Sequence, residues 1–415
     1  MPPPKATPPQ ASRKPSRKPT RKPSDWLDAD AATRLLDVSR STLYAYVSRG
    51  FVRSEPAAGR PRERRYARED VERLRTRAEE RRNPEKAAAH ALRWGVPILE
   101  SSITLIADGK LYYRGQDAGE LARTRSLEEV AALIWCGSFE ADVFDTPLHV
   151  VSGLAVAPDL PFINRAQSVL ALVAAQDSLA FDLRARNVAQ TGWRIVNLLT
   201  SVAAASQDLE ATVEDTLARE WAPQRKDAAK VIRAALIVCA DHELNVSAFT
   251  ARCVASASSN PYAVVIAGLA ALEGTKHGGA TARVDALWRD LRRARDVRGT
   301  LAERLRRGET IDGFGHPLYP DGDPRAELLL DMLPKSKELN FARKLAESVD
   351  SVLGEKPNLD FALVSVEAAL DLPRGSALAL FAIGRTIGWI AHAIEQYAQD
   401  AMIRPRAKYV GPKPE

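Results

Sequence analysis

The sequence predicts a mainly helical protein of 415 residues, with a large all-α body behind a short basic helical module. Three observations carry that reading. From about Trp94 onward the chain is rich in Ala, Leu, Arg and Glu, the strong helix formers. Apolar residues there recur at helical spacing, without the turn signals at about every 8–12 residues that an all-β domain shows. Positive charge is confined to one end: residues 1–94 hold 23 Lys and Arg against 12 Asp and Glu, and the remainder holds 36 against 41. That asymmetry predicts a first segment that meets an anionic polymer and a second that does something else.

The composition narrows the class further. With 45% hydrophobic and 27% charged residues the chain is not wholly disordered. Cys136, Cys239 and Cys253 lack metal-type spacing, which excludes a zinc finger and a disulfide framework. The apolar run Ala377–Ile394 is interrupted by Arg385 and His392, so it predicts a buried helix rather than a membrane span. Met1 is followed by prolines and basic residues with no apolar h-region. A soluble, cytoplasmic protein without a membrane partner is expected.

Residues 1–24 hold seven Lys or Arg, eight Pro and no acid. They repeat as Ser12-Arg13-Lys14-Pro15, Ser16-Arg17-Lys18-Pro19 and Thr20-Arg21-Lys22-Pro23. Almost nothing apolar repays the entropy of ordering them, so a disordered tail is expected, able to hold phosphates without sequence preference. Residues 25–82 read as a small domain. Leu27–Leu36 spaces apolar residues as one short helix, Asp37-Val38-Ser39 supplies a turn, and Ser39–Ser48 makes a second helix ending at Gly50. Two short helices across such a turn form a helix-turn-helix unit.

Val38–Tyr46, Arg49-Gly50 and Arg64–Val71 resemble the MerR/excisionase-type winged helix-turn-helix, with Arg60–Arg65 as the wing. The resemblance implies that Arg40, Ser41, Thr42 and Tyr44 face bases or phosphates of duplex DNA. It also implies that Arg60, Arg62 and Arg64 hold the backbone from the side. A docking or assembly module is the rival reading. Residues 71–93 read as a solvated connecting helix ended by Asn83-Pro84, with 83–94 as linker.

In the body, Leu127–Trp135, Ala166–Ala175, Ala228–Ala240 and Ala377–Gln396 predict helices. Strand signals are confined to Ile103–Ala107 and Leu111–Tyr113, a small hairpin at the start. Three of the six histidines sit beside glycine-rich or acidic turns: Asp241-His242-Glu243, His277-Gly278-Gly279 and Gly313-Phe314-Gly315-His316. Arg385 stands inside an apolar helix, where a guanidinium needs an anionic partner. These residues describe a site for a small polycarboxylate held by Arg forks, with His as acid or hydrogen-bond donor.

Asp241–Ser247, Gly274–Ala280, Gly313–Arg325, Asn358–Phe361, Phe381–Gln396, Arg404-Pro405-Arg406 and Leu111–Gly115 resemble the signature segments of citrate synthases, in the right order over residues 95–415. The resemblance implies a helical homodimer with a large domain and a small one over roughly residues 278–378. It implies condensation of acetyl-CoA with oxaloacetate, acetyl-CoA being a substrate and no cofactor or metal being needed. Asp360 then matches the base, His277 the donor to the thioester oxygen, and His316 the residue that polarises the ketone. His242, Arg325 and Arg385 match oxaloacetate ligands, and Arg404 matches an arginine supplied by the partner subunit. A 2-methylcitrate synthase using propionyl-CoA, and a metabolite-sensing transcription regulator on the same fold, are the alternatives. A sensor has no use for Asp360 as a base.

Overall fold

The computed structural model describes residues 26–57, 60–72, 74–75, 99–144, 159–208 and 211–414. The chain divides into two units, Met1–Glu100 and Ser101–Glu415. The tail 1–24, the linker 83–94 up to Trp94 and most of the connecting helix expected over 71–93 lie outside the described residues.

In the first unit, strand Trp26–Leu27 (β1) leads into helices Ala29–Leu36 (α1) and Arg40–Ser48 (α2), then strands Ser54–Ala57 (β2) and Arg60–Ala67 (β3). The antiparallel sheet has the order β1-β3-β2. The first helix starts two residues later than its apolar spacing suggests. Leu27 pairs with Tyr66 in the sheet, and Asp28 caps α1 by accepting from Ala31 N at 2.7 Å. An extended capping residue stops the helix from continuing upstream. Ser39 caps α2 as expected, accepting from Thr42 N at 3.2 Å. Leu27, Ala32, Leu36, Leu43, Val52, Tyr66 and Val71 form a small separate core. Arg53 grips the buried Asp70 through Nε–Oδ2 at 2.8 Å and Nη2–Oδ1 at 3.1 Å.

The second unit opens on strands Thr104–Ala107 (β4), Lys110–Tyr113 (β5) and Gln116–Asp117 (β6), an antiparallel sheet in chain order. Asp108 and Gly109 both adopt positive φ, the geometry of a two-residue hairpin. The third strand goes beyond the expected hairpin. Arg114 and Gly115 also take positive φ and turn the chain back on β5. Helices follow at Ala118–Thr124 (α3), Leu127–Cys136 (α4), Phe162–Ala174 (α5), Ala185–Ala204 (α6), Val213–Trp221 (α7) and Ala228–Cys239 (α8). Then come Val246–Ala255 (α9), Pro261–Leu272 (α10), Gly279–Arg293 (α11), Val297–Arg306 (α12), Pro324–Met332 (α13), Lys337–Leu353 (α14), Leu359–Leu370 (α15) and Ser376–Gln399 (α16).

Helix α16 is the axis of this body and packs on α6, α8, α9 and α10. It is long and apolar enough to cross a membrane, yet 89% of its apolar window is buried inside the body. At Gly388 any Cβ would fall 2.3 Å from the carbonyl oxygen of Ala240. Only glycine lets the axis helix meet the end of α8 so closely, and that end carries Asp241 and His242.

Candidate active site

The first wall of the site forms where α8 ends against α16. Asp241 is fully buried; its Oδ2 accepts from Thr104 Oγ1 at 2.6 Å, and its Oδ1 lies 3.2 Å from His392 Nε2. Burial pushes the Asp241 carboxyl up, but His392, Arg385 and Thr104 outweigh it and hold the group below its ordinary value. Arg385, 1% exposed, donates from Nε to the Cys239 carbonyl at 2.7 Å, and its Nη1 is buried without a hydrogen-bond partner. Burial lowers the pKa of that guanidinium, with Asp241 opposing. A buried donor left unpaired is costly, and Arg385 Nη1 shares that state with Arg165 Nε and Arg233 Nε elsewhere in the body.

His242 faces His316 edge-on with ring centroids 5.1 Å apart, and its Nε2 shares a hydrogen bond of 3.1 Å with the Tyr319 hydroxyl. Burial, then Arg325 and Arg385, hold His242 well below the usual imidazole range. His316 follows Gly313, whose φ of 93° a side chain would strain. The loop is clamped to the start of α15: Asn358 N donates to Gly313 O at 2.9 Å and Gly315 N to Lys356 O at 2.8 Å. His316 Nδ1 accepts from Leu318 N at 3.2 Å, so the ring carries its proton on Nε2. Burial and Arg325 lower its pKa to about 4.

Arg325 is 5% exposed and forks onto Asp323, Nε–Oδ1 at 2.9 Å and Nη2–Oδ2 at 2.7 Å. Burial works against the cation, but Asp323 outweighs it and raises the pKa. The same Asp323 accepts from Leu359 N at 3.2 Å, which seats the pair on the N-terminus of α15 one residue before Asp360. Asp360 accepts from Thr281 Oγ1 at 2.8 Å. Burial raises its carboxyl to about 6, against the pull of Thr281 and Arg325.

His277 stands in the turn before α11. Its Nε2 lies 2.8 Å from Ser247 Oγ, and its ring meets Phe381 edge-on at 5.8 Å. Arg385 lies over the same Phe381 ring at 4.8 Å, which joins the His277 turn to the first wall. Burial, then Arg385, lowers the His277 pKa to about 4. The Ser247 hydroxyl also receives Trp389 Nε1 at 3.2 Å. Its single proton has two acceptors in reach, Asn245 Oδ1 at 2.9 Å and His277 Nε2. Given to His277, it leaves the ring proton on Nδ1.

Six of the expected body residues thus converge: His242, His277, His316, Arg325, Asp360 and Arg385. Arg404 does not join them within this chain; it is exposed in the segment after α16, which has no regular secondary structure. Tyr319, Ser247, Asp323 and Thr281 are participants that sequence reasoning did not single out. Asp323 had a signal, since it precedes Pro324-Arg325, whereas the other three depend on partners 30 to 79 residues away.

In the first unit, Arg40 pairs with Asp30 at 2.6 Å on the surface instead of standing open. Ser41 and Thr42 direct their hydroxyls to the Ser39 cap at 2.8 and 2.9 Å. Tyr44 is 53% exposed and Arg64 is exposed on β3. The side chains of Arg60 and Arg62 lie outside what is described.

The helical body thus gathers two buried guanidinium groups, histidines whose pKa burial and nearby cations lower, and a carboxyl whose pKa burial raises. The family model described as "Citrate synthase, C-terminal domain" matches residues 91–406. The chain belongs to the citrate synthase family. Its enzymatic class is that of the family, an acyltransferase. It is 32% identical to a citrate synthase of Haloferax volcanii, over 77% of this chain and 95% of that one. It is 29% identical to citrate synthase 2 of Bacillus subtilis, with the same coverage of 77% and 95%. A 2-methylcitrate synthase of Shewanella oneidensis is 35% identical over 45% of this chain and 51% of its own length. The crystal structure of citrate synthase from Thermotoga maritima superposes with a TM-score of 0.65 at 27% identity, covering 77% of this chain and 95% of that one.

Proposed function

We propose that the body condenses acetyl-CoA with oxaloacetate to give citrate and CoA, with Asp360, His277 and His316 as the catalytic groups. The observation that carries this reading is the setting of Asp360. A half-buried carboxyl raised to about 6 by desolvation shares the site with two histidines lowered to about 4 and with the unpartnered Nη1 of Arg385. A thioester methyl is a weak carbon acid, so its deprotonation needs both a placed base and stabilisation of the enolate. The Asp360 carboxylate takes the methyl proton, and the electron pair becomes the enolate. His277, neutral, donates Nδ1–H to the enolate oxygen. The enolate carbon attacks the oxaloacetate ketone, His316 delivers its Nε2 proton to the new alkoxide, and the proton that Asp360 took returns the imidazole to its neutral form and Asp360 to its carboxylate. One water then cleaves the thioester, releasing citrate and CoA. Arg385, Arg325 and His242 hold the oxaloacetate carboxylates, and the dianion offsets the cations that depress the histidines.

A propionyl-CoA substrate differs by one methylene, worth about 1–3 kcal/mol in an apolar pocket. The half-length likeness to a 2-methylcitrate synthase favours keeping it as the second reading. A thiol-release assay with oxaloacetate and either acyl-CoA decides: release that needs oxaloacetate and is faster with acetyl-CoA supports the proposal. Release without oxaloacetate, or with propionyl-CoA alone, overturns it.

The working unit in this proposal is a homodimer, with Arg404 reaching the partner's site. The first unit acts as a winged helix-turn-helix that binds duplex DNA. Two helices across a turn, a following hairpin and the charge excess of residues 1–94 support that role. The Arg40–Asp30 pair is solvent-exposed, so a phosphate can displace the carboxylate.

A further inference from the structure

The start of α11 reaches each of the three segments that carry a proposed catalytic group. His277 is two residues upstream of its first residue. Thr281, 2% exposed, donates its hydroxyl to Asp360 Oδ1 at 2.8 Å. Among the described residues nothing donates to the other oxygen, Oδ2. One turn on, Arg283 divides its guanidinium between two loops. Nη1 donates to the Thr275 carbonyl, in the His277 turn, and Nη2 donates to Asp312 Oδ1 at 2.9 Å, next to Gly313 at the root of the His316 loop.

We infer that Thr281 and Arg283 are positioning residues: Thr281 holds the Asp360 carboxylate so that Oδ2 is the oxygen that takes the methyl proton, and Arg283 ties the two histidine loops together. A hydroxyl has one proton, and giving it to Oδ1 fixes the plane of the carboxylate. It also removes Oδ1 as a competing base. The bond favours the ionised carboxylate, so Thr281 keeps the base available at lower pH than burial alone allows. Arg325, Asp323 and Arg283 are the other charges facing Asp360. A lysine at 283 presents a point charge and not a fork, so it does not bridge both loops.

The inference rests on Asp360 being the base, and the two ideas separate experimentally. Thr281→Val keeps the shape of the side chain and deletes the donor. The acid limb of kcat/KM moves up by about one pH unit in this variant, because a hydrogen bond to a charged group is lost. The KM for oxaloacetate stays at the wild-type value. Thr281→Ser restores the wild-type limb. An unshifted limb in Thr281→Val, or a Ser variant that behaves like Val, overturns the role of Thr281. Asp360→Asn is assayed in parallel, and full turnover there sinks the base assignment whatever Thr281 does. For the strap, Arg283→Met and Asp312→Asn each lower kcat about tenfold, and the double variant is no worse than either single one. Multiplying effects in the double variant overturn it.

Discussion

Replacing Arg385 by methionine separates binding from folding. The guanidinium is buried, spends Nε on the Cys239 carbonyl and leaves Nη1 unpartnered. In the enzyme without substrate, the orphaned donor costs about 1–3 kcal/mol, and methionine relieves that. Against this gain stands the bond to Cys239 O, worth about 1 kcal/mol. Asp241 also loses a nearby cation but retains Thr104 and His392. The opposing contributions nearly cancel, so stability should stay within about 2 kcal/mol, a shift of a few degrees in Tm. Binding has no such compensation. A charge-assisted hydrogen bond to a substrate carboxylate contributes about 1.5–3 kcal/mol, so the KM for oxaloacetate should rise roughly 10- to 150-fold. Thiol release at varied oxaloacetate measures the KM, and thermal melting with and without oxaloacetate measures the rest. Arg385→Met should melt near the wild-type temperature and lose the rise that oxaloacetate induces. A variant that keeps both the wild-type KM and the ligand-induced rise would refute the assignment of Nη1 to a substrate carboxylate.

Other outcomes follow from the same geometry. Asp360→Asn should lose turnover by orders of magnitude while still binding oxaloacetate, because an amide does not accept the methyl proton. Burial raises the Asp360 pKa from 3.8 to about 6, so the folded state binds this proton more tightly than the unfolded one. The ionised group therefore opposes folding above pH 6, and stability is regained as pH falls from about 6 toward 4. Asp360→Asn should accordingly out-melt the wild type at pH 8 and lose that advantage near pH 4; equal melting at pH 8 would contradict the burial argument. Mixing Arg404→Ala with His316→Ala subunits should restore part of the activity, since one mixed dimer holds one intact site. No recovery despite proven subunit exchange would return Arg404 to its own subunit or to no role. Duplex DNA binding should fall by roughly 0.9 log unit per decade of salt for each phosphate neutralised, and removing residues 1–24 should flatten that slope. Absence of binding even at low salt would make the first unit a docking element.

Much of the architecture was legible because helix signals are local. Runs such as Leu127–Cys136 and Ala228–Cys239 carry their own periodicity, and Arg385 inside an apolar helix stood out as a cation in need of an anionic partner. The ordered histidine and arginine motifs named the chemistry for the same reason: each sits in a short segment whose residue types are its signal. The start of α1 was misread because Leu27 suits a helix face and a sheet edge equally, and the pairing with Tyr66 settles it from 39 residues away. Tertiary packing alone decided which groups meet and how they ionise. Ser247 against His277, Tyr319 against His242 and Thr281 against Asp360 are set by helix contacts, not by any spacing along the chain. The shift of Asp360 and the depression of His277 and His316 come first from desolvation. Desolvation belongs to the closed core and has no counterpart in a linear pattern. Sequence therefore pointed to the candidate groups, and the close approach that Gly388 permits helped bring them together.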